Sequence, residues 1–104
     1  GTPCAELYRI AAERVEKAGL AANFMGTRQQ AKFVGHGIGL QINELPVLTP
    51  RSKDTLQEGM VFALEPKFVL PGIGAVGIEN SFLVTATGGE QLTCAPEEII
   101  RLDR

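Results

Sequence analysis

Gly59-Met-Val-Phe-Ala-Leu-Glu-Pro66 decides the reading of this chain, because a strand pattern ends there in an acid. Residues two apart on a strand share a face. Val61, Ala63 and Glu65 therefore point one way, and Met60, Phe62 and Leu64 the other. The second set reads as a core face. The first is lined by modest side chains and closes on a carboxylate. A buried carboxylate costs several kcal/mol unless it is paired, hydrogen-bonded or bound to a metal. Spacing alone leaves two readings open, an edge glutamate reaching solvent and a ligand.

Downstream, strand patterns run over 67–70, 75–79 and 80–85, with turns at Pro71-Gly72 and Gly88-Gly89. Leu92-Thr93 reads as a short last strand and Glu97 to Ile100 as a helical turn. Upstream, Phe33-Val34 and Ile38-Gly-Leu-Gln-Ile42 read as strand pieces broken by Gly35, Gly37 and Gly39. Pro46 and Pro50 bracket an extended stretch, residues 51–58 form a polar loop, and residues 19–31 an irregular polar connection. The first element is helical. Thr2 can cap it, Pro3 suits its first position, and Leu7, Ile10, Ala11, Val15 and Ala18 recur at helical spacing. Glu13 and Lys17 make a favourable pair, and Gly19 supplies the stop, so the pattern predicts a helix over 3–18. A helix followed by antiparallel strands is an α+β unit.

The 104 residues, 44% hydrophobic and 21% charged, suit one compact domain or a piece of a larger one. A net charge of −2 gives no reason to expect nucleic-acid or anionic-membrane binding. No apolar run reaches the length of about 18 residues that a spanning helix needs. Cys4 and Cys94 make neither a disulfide framework nor a zinc knuckle, which leaves a reducing, cytoplasmic setting as the default. The chain opens directly on a helix signal, as a domain cut from a longer protein would, though a short natural chain would also fit.

Two further polar residues sit in apolar surroundings. Glu79 follows Val76-Gly-Ile and shares its strand face with Ala75 and Gly77, while Val76 and Ile78 would supply the packed face. That small-residue floor suits a ligand site or a twisted edge strand. His36, the only histidine, lies between Gly35 and Gly37, which allow close backbone approach or positive φ. It reads as a histidine satisfied by backbone hydrogen bonds or as a ligand. One imidazole and two carboxylates can hold a divalent transition metal. Gly72-Ile-Gly-Ala-Val-Gly77 matches the dinucleotide fingerprint, but a strand pattern follows where that motif needs a helix, so a nucleotide site is rejected. Arg51 and Lys53 read as a solvated face.

Taken together, Gly35-His-Gly-Ile-Gly39, Gly59-Met-Val-Phe-Ala-Leu-Glu-Pro66 and Gly77-Ile-Glu-Asn80 resemble the pita-bread metallopeptidases. That family comprises methionine aminopeptidase, aminopeptidase P and prolidase. Asn43-Glu-Leu-Pro46 and Leu83-Val-Thr-Ala-Thr-Gly-Gly-Glu-Gln-Leu-Thr93 extend the likeness over nearly the whole chain, closest to the proline-directed Xaa-Pro type. The resemblance implies a centre of two divalent ions (Mn, Co, Fe or Zn) that activates water for attack on the scissile amide of a peptide substrate. By motif, His36 and Glu65 would bind one ion, Glu65 would also pass protons, and Glu79 would bridge both.

The family pattern also uses two aspartates, which lie upstream in its members. This chain has only Asp54 and Asp103, and neither stands in a matching strand. The resemblance therefore implies that residues 1–104 are the C-terminal half of the pita-bread domain, one long helix plus a curved antiparallel sheet, lacking its N-terminal half. Where many members carry a second histidine, seven residues after the first, this chain has Asn43, an amide that can donate to an oxyanion but cannot titrate. Where members often carry arginine before the Ile-Glu pair, it has Gly77. The expected function is a metal-dependent Xaa-Pro exopeptidase, with the isolated chain inactive. The alternatives are a non-catalytic pita-bread binding module and a half-domain that pairs with a partner or with itself as a homodimer through its open sheet edge.

Overall fold

The computed structural model describes residues 1–103. Helix α1 (Cys4–Lys17) is followed by a 3₁₀ turn (Ala21–Asn23) and seven strands. These are β1 (Gly35–Gly37), β2 (Glu44–Val47), β3 (Val61–Leu64), β4 (Lys67–Leu70), β5 (Gly74–Gly77), β6 (Asn80–Val84) and β7 (Gly89–Gln91). The result is α+β, as the periodicities require.

α1 begins one residue later than its pattern suggests. Pro3 is the N-cap residue, and no side chain caps the helix. Thr2 instead accepts from the Leu56 amide at 2.8 Å through its backbone oxygen, and Pro3 bridges to Thr55, which ties the helix start to the loop before β3. The far end stops at Gly19 as expected, with φ +74°. Gly19 N donates to Glu16 O at 2.9 Å and Leu20 N to Val15 O at 3.1 Å, a Schellman closure. The inward stripe is Cys4, Leu7, Tyr8, Ala11 and Val15, while Ile10 and Ala18 face solvent. Arg9, not Lys17, takes Glu13, together with Glu6.

The strands form a five-stranded antiparallel sheet ordered β2-β1-β3-β6-β7 and a separate β4–β5 ribbon, where a single sheet was expected. The break falls at Pro66, which has no N–H to continue a ladder. Three strand expectations shift. Pairing with β3 makes a strand of Gly35–Gly37 in place of Phe33-Val34. Residues 38–42 form bends around a Gly39 N–Gln41 O bond of 3.0 Å, leaving Leu40 and Ile42 fully exposed. The last strand is Gly89–Gln91, with Leu92 N still donating to Ser81 O at 2.8 Å. Residues 97–100 carry bends without a helical turn.

The core joins Cys4, Phe24, Met25, Val34, Leu48, Leu56, Phe62 and Val84. Phe62 stacks on its cross-strand partner Phe82 at 5.6 Å. Phe24 and Met25 belong to the connection read as polar. Phe24 meets Phe68 of β4 at 5.8 Å, and Met25 N donates to Lys67 O at 2.9 Å. The irregular segment thus anchors the ribbon.

Candidate metal centre

β3 is the central strand of the site. His36 pairs with Ala63 across β1–β3, and Leu64 pairs with Asn80 across β3–β6. Continuing the second ladder by one residue sets Glu79 opposite Glu65. Alternation then puts His36, Ala63, Glu65 and Glu79 on one face. The β1–β2 register jumps between His36 and Gly37, a bulge of the kind that re-aims a side chain. Close approach, not positive φ, explains the flanking glycines. A Cβ on Gly35 would fall on Ala63 O and within 2.8 Å of Leu48 Cδ1, and one on Gly37 would fall on Leu45 O. Ala63 is buried, so β1 can lie tightly over β3 only if both positions lack a side chain.

One ligating atom each from His36, Glu65 and Glu79 lies within 4.8 Å of the others. His36 is buried, Glu65 half-buried and Glu79 exposed, as are Val76 and Ile78. The packed face expected beneath Glu79 is therefore absent among the described residues, because β5 belongs to the ribbon and has no sheet or helix behind it. His36 Nδ1 contacts Gly37 O at 3.0 Å. A carbonyl oxygen can only accept, so Nδ1 carries the proton in that contact. Nε2 faces Glu65 Oε2 at 3.4 Å. The contact meets the backbone reading of His36, and the ring's other nitrogen lies on the side of the two glutamates.

The Glu79 carboxyl titrates above its ordinary value. Lost solvation is the largest cause, followed by the adjoining Glu65 carboxylate, with His36 and Lys67 opposing. Two carboxylates placed this close repel one another when both are charged, and a cation between them reverses the sign. An imidazole nitrogen with two carboxylates suits a divalent transition metal. Asn43 is not part of this group. It sits exposed in the bend before β2, lining a different concavity with Gln41, Glu44, Leu45 and Val47. Among the described residues, neither Asp54 nor Asp103 joins the cluster.

Two residues escaped the sequence reading. Lys67 lines the concavity with Glu65, Ala75, Gly77 and Glu79, its Nζ 3.9 Å from Glu65 Oε1. Its place two residues after the acid was the available signal. Asn80, buried beside Glu79, accepts from Thr93 Oγ1 at 2.5 Å and donates to Glu97 Oε1 at 3.1 Å. Only the β6–β7 register reveals those partners.

A histidine and two glutamates thus gather beside the central strands of an antiparallel α+β unit, a donor set that could hold a metal ion. The sequence profile of metallopeptidase family M24 matches residues 1–86, and the chain belongs to that family. It is similar to the Xaa-Pro dipeptidase of Pyrococcus furiosus, 34% identical over 100 residues, covering 96% of this chain and 27% of the relative. Among solved structures, the Xaa-Pro dipeptidase of Bacillus anthracis superposes with a TM-score of 0.85 at 36% identity, over 98% of this chain and 27% of that one. The X-Pro aminopeptidase of Thermotoga maritima gives 0.83 at 31%, over 94% and 26%. The fold is thus of the pita-bread type. The chain spans about a quarter of the length of the curated relatives it matches.

Proposed function

We propose that residues 1–104 form the C-terminal portion of a pita-bread catalytic domain, and that the whole protein is a metal-dependent Xaa-Pro exopeptidase. The observation that carries this reading is the cluster itself: one ligating atom each from His36, Glu65 and Glu79 lies within 4.8 Å of the others. Divalent ions held there supply Lewis acidity to water and to the scissile carbonyl. His36 Nε2, Glu65 and Glu79 would hold them, with Glu79 shared in a two-ion centre. Mn, Co, Fe and Zn all suit the donor set. Glu65 would take a proton from the attacking water and pass it to the leaving nitrogen. Asn43, exposed in the bend before β2 and outside the cluster, has no part in this chemistry as the chain stands.

The remaining ligands, two aspartates, would come from the N-terminal half of the domain. The exposed Leu40, Ile42, Leu45 and Ile73 support a missing neighbour, either that half or a second copy in a homodimer. Cys4 and Cys94 are both free thiols, which favours a cytoplasmic setting. No helix is long and apolar enough to cross a membrane.

Calorimetric titration with Mn²⁺ tests the centre. Binding by the chain is expected to weaken at least ~100-fold in His36→Ala, in line with the loss of one ligand. No binding by the full-length parent protein favours the non-catalytic module. In an Xaa-Pro dipeptide assay with Mn²⁺ the 104-residue chain should stay at the blank rate, and robust turnover would overturn the incomplete-site reading.

A further inference from the structure

Among the described residues, Lys67 is the one cation lining the concavity that holds Glu65 and Glu79. Its place there is built into the ribbon. Lys67 and Gly77 are register partners, and a Cβ on Gly77 would lie 2.7 Å from Lys67 Cβ and 3.0 Å from Pro66 O. The lysine stem therefore occupies space that any side chain at position 77 would need. Ala75, two residues back on β5, keeps that side of the opening low. The ammonium, 3.9 Å from Glu65 Oε1, is within electrostatic reach but too far for a hydrogen bond, and the lysine is partly exposed. It is held loosely by Glu65 and is free to take a better anion.

We propose that Lys67 binds the free carboxylate of a dipeptide whose scissile carbonyl lies over His36, Glu65 and Glu79, and so selects dipeptide acids over longer or amidated peptides. The inference rests on the peptidase reading above. Distances decide for a dipeptide. One residue spans ~3.8 Å between Cα atoms, and a charge-assisted N–H···O bond adds ~2.8 Å. A carboxylate one residue beyond the scissile bond thus falls within reach of an ammonium placed 3.9 Å from a cluster oxygen. A carboxylate one residue further along would lie another ~3.8 Å out, beyond that reach. A cation at that place also repels a bound metal slightly, so a merely structural or ligand-supporting role predicts weaker metal binding on its removal, and the proposed role does not.

The test compares Ala-Pro with Ala-Pro-amide, using the protein at its full natural length with Mn²⁺. Unsubstituted protein is expected to favour the acid by ~10-fold or more in kcat/KM, the scale of one charged hydrogen bond. Lys67→Met should bring the ratio near one through KM, with kcat little changed, and Lys67→Arg should keep most of the preference. Mn²⁺ affinity of Lys67→Met, measured separately by calorimetry, should be unchanged or higher. Equal rates on the two substrates in the unsubstituted protein, a preference that survives Lys67→Met, or weaker Mn²⁺ binding by that variant would each overturn the assignment to Lys67. Absence of turnover or of Mn²⁺ binding in the unsubstituted protein would instead overturn the peptidase reading, and this proposal with it.

Discussion

At Gly35 there is no room for a methyl group. Its Cβ would strike the Ala63 carbonyl, a backbone atom on the central strand that cannot turn aside, as well as Leu48 Cδ1. Gly35→Ala must therefore push β1 off β3, at a cost of about 1–3 kcal/mol. A drop in the urea midpoint should show it, accompanied by weaker Mn²⁺ binding because His36 moves with the strand; wild-type values for both would refute the close-packing account. Glu79 titrates in the opposite sense to most carboxylates in folded proteins. The folded state holds its proton more tightly than the unfolded chain does. Its stabilising contribution is therefore complete below the ordinary value of 4.5 and is lost as pH rises through the raised value. Metal must displace that proton, so Mn²⁺ affinity should rise with pH over the same window. Melting temperatures between pH 4 and 7 should decline less steeply for Glu79→Gln than for the unsubstituted chain, and parallel curves would show that Glu79 is not responsible. At this scale the sequence was informative about Glu65, because an odd polar residue on a period-two strand is visible in one dimension, and about His36, the one histidine, set between two glycines. The neighbourhood of Glu79 was not, since its closeness to Glu65 depends on cross-strand register and its exposure on the absence of a packing layer.

Among the elements, α1 was the most legible, because its stop signal is local chemistry. Gly19 holds φ +74° while its amide and that of Leu20 close the last turn. An L side chain there costs roughly 1–2 kcal/mol by steric conflict with the carbonyl, so Gly19→Ala should lower the unfolding free energy by that amount, seen as a lower urea midpoint, and leave Mn²⁺ affinity alone. Nothing lies within 4 Å of a Cβ at Gly19, so the loss can be assigned to backbone strain; an unchanged midpoint would mean the helix end frays without consequence. The N-terminus was misread because Thr2 is claimed by Leu56, a partner 54 residues away that no local pattern contains. The strands around His36 were displaced for a similar reason. Ile38-Gly-Leu-Gln-Ile42 has the right alternation but no strand to pair with, whereas Gly35-His-Gly37 has no alternation of note and two partners. Pairing, not pattern, decides which short segment becomes a strand.

The whole molecule exposes more surface than its mass calls for. Its accessible area is 7590 Å², about a third above the ~5,700 Å² expected for a compact monomer of 11.1 kDa. The radius of gyration of 14.6 Å likewise exceeds the ~13 Å of an ordinary domain of this length. The excess is more than twice the ~800 Å² that each partner buries in a standard protein–protein interface, which agrees with a unit that packs extensively against further chain or a second copy. A small core follows, and with it marginal stability when the unit stands alone. The two thiols report on that directly. Cys4 is fully buried at the start of α1, its amide bonded to Asp54 O at 2.9 Å, and burial first, with Asp54 adding to it, pushes its thiol above the ordinary range. Cys94 is exposed. A thiol reagent at neutral pH should therefore label Cys94 at once and Cys4 only through opening of the core. In increasing urea, Cys4 labelling should rise along the same curve as the loss of helical circular dichroism, because α1 and the core open together. Labelling of Cys4 at the Cys94 rate in native buffer would mean that the core forms only when the missing surface is covered.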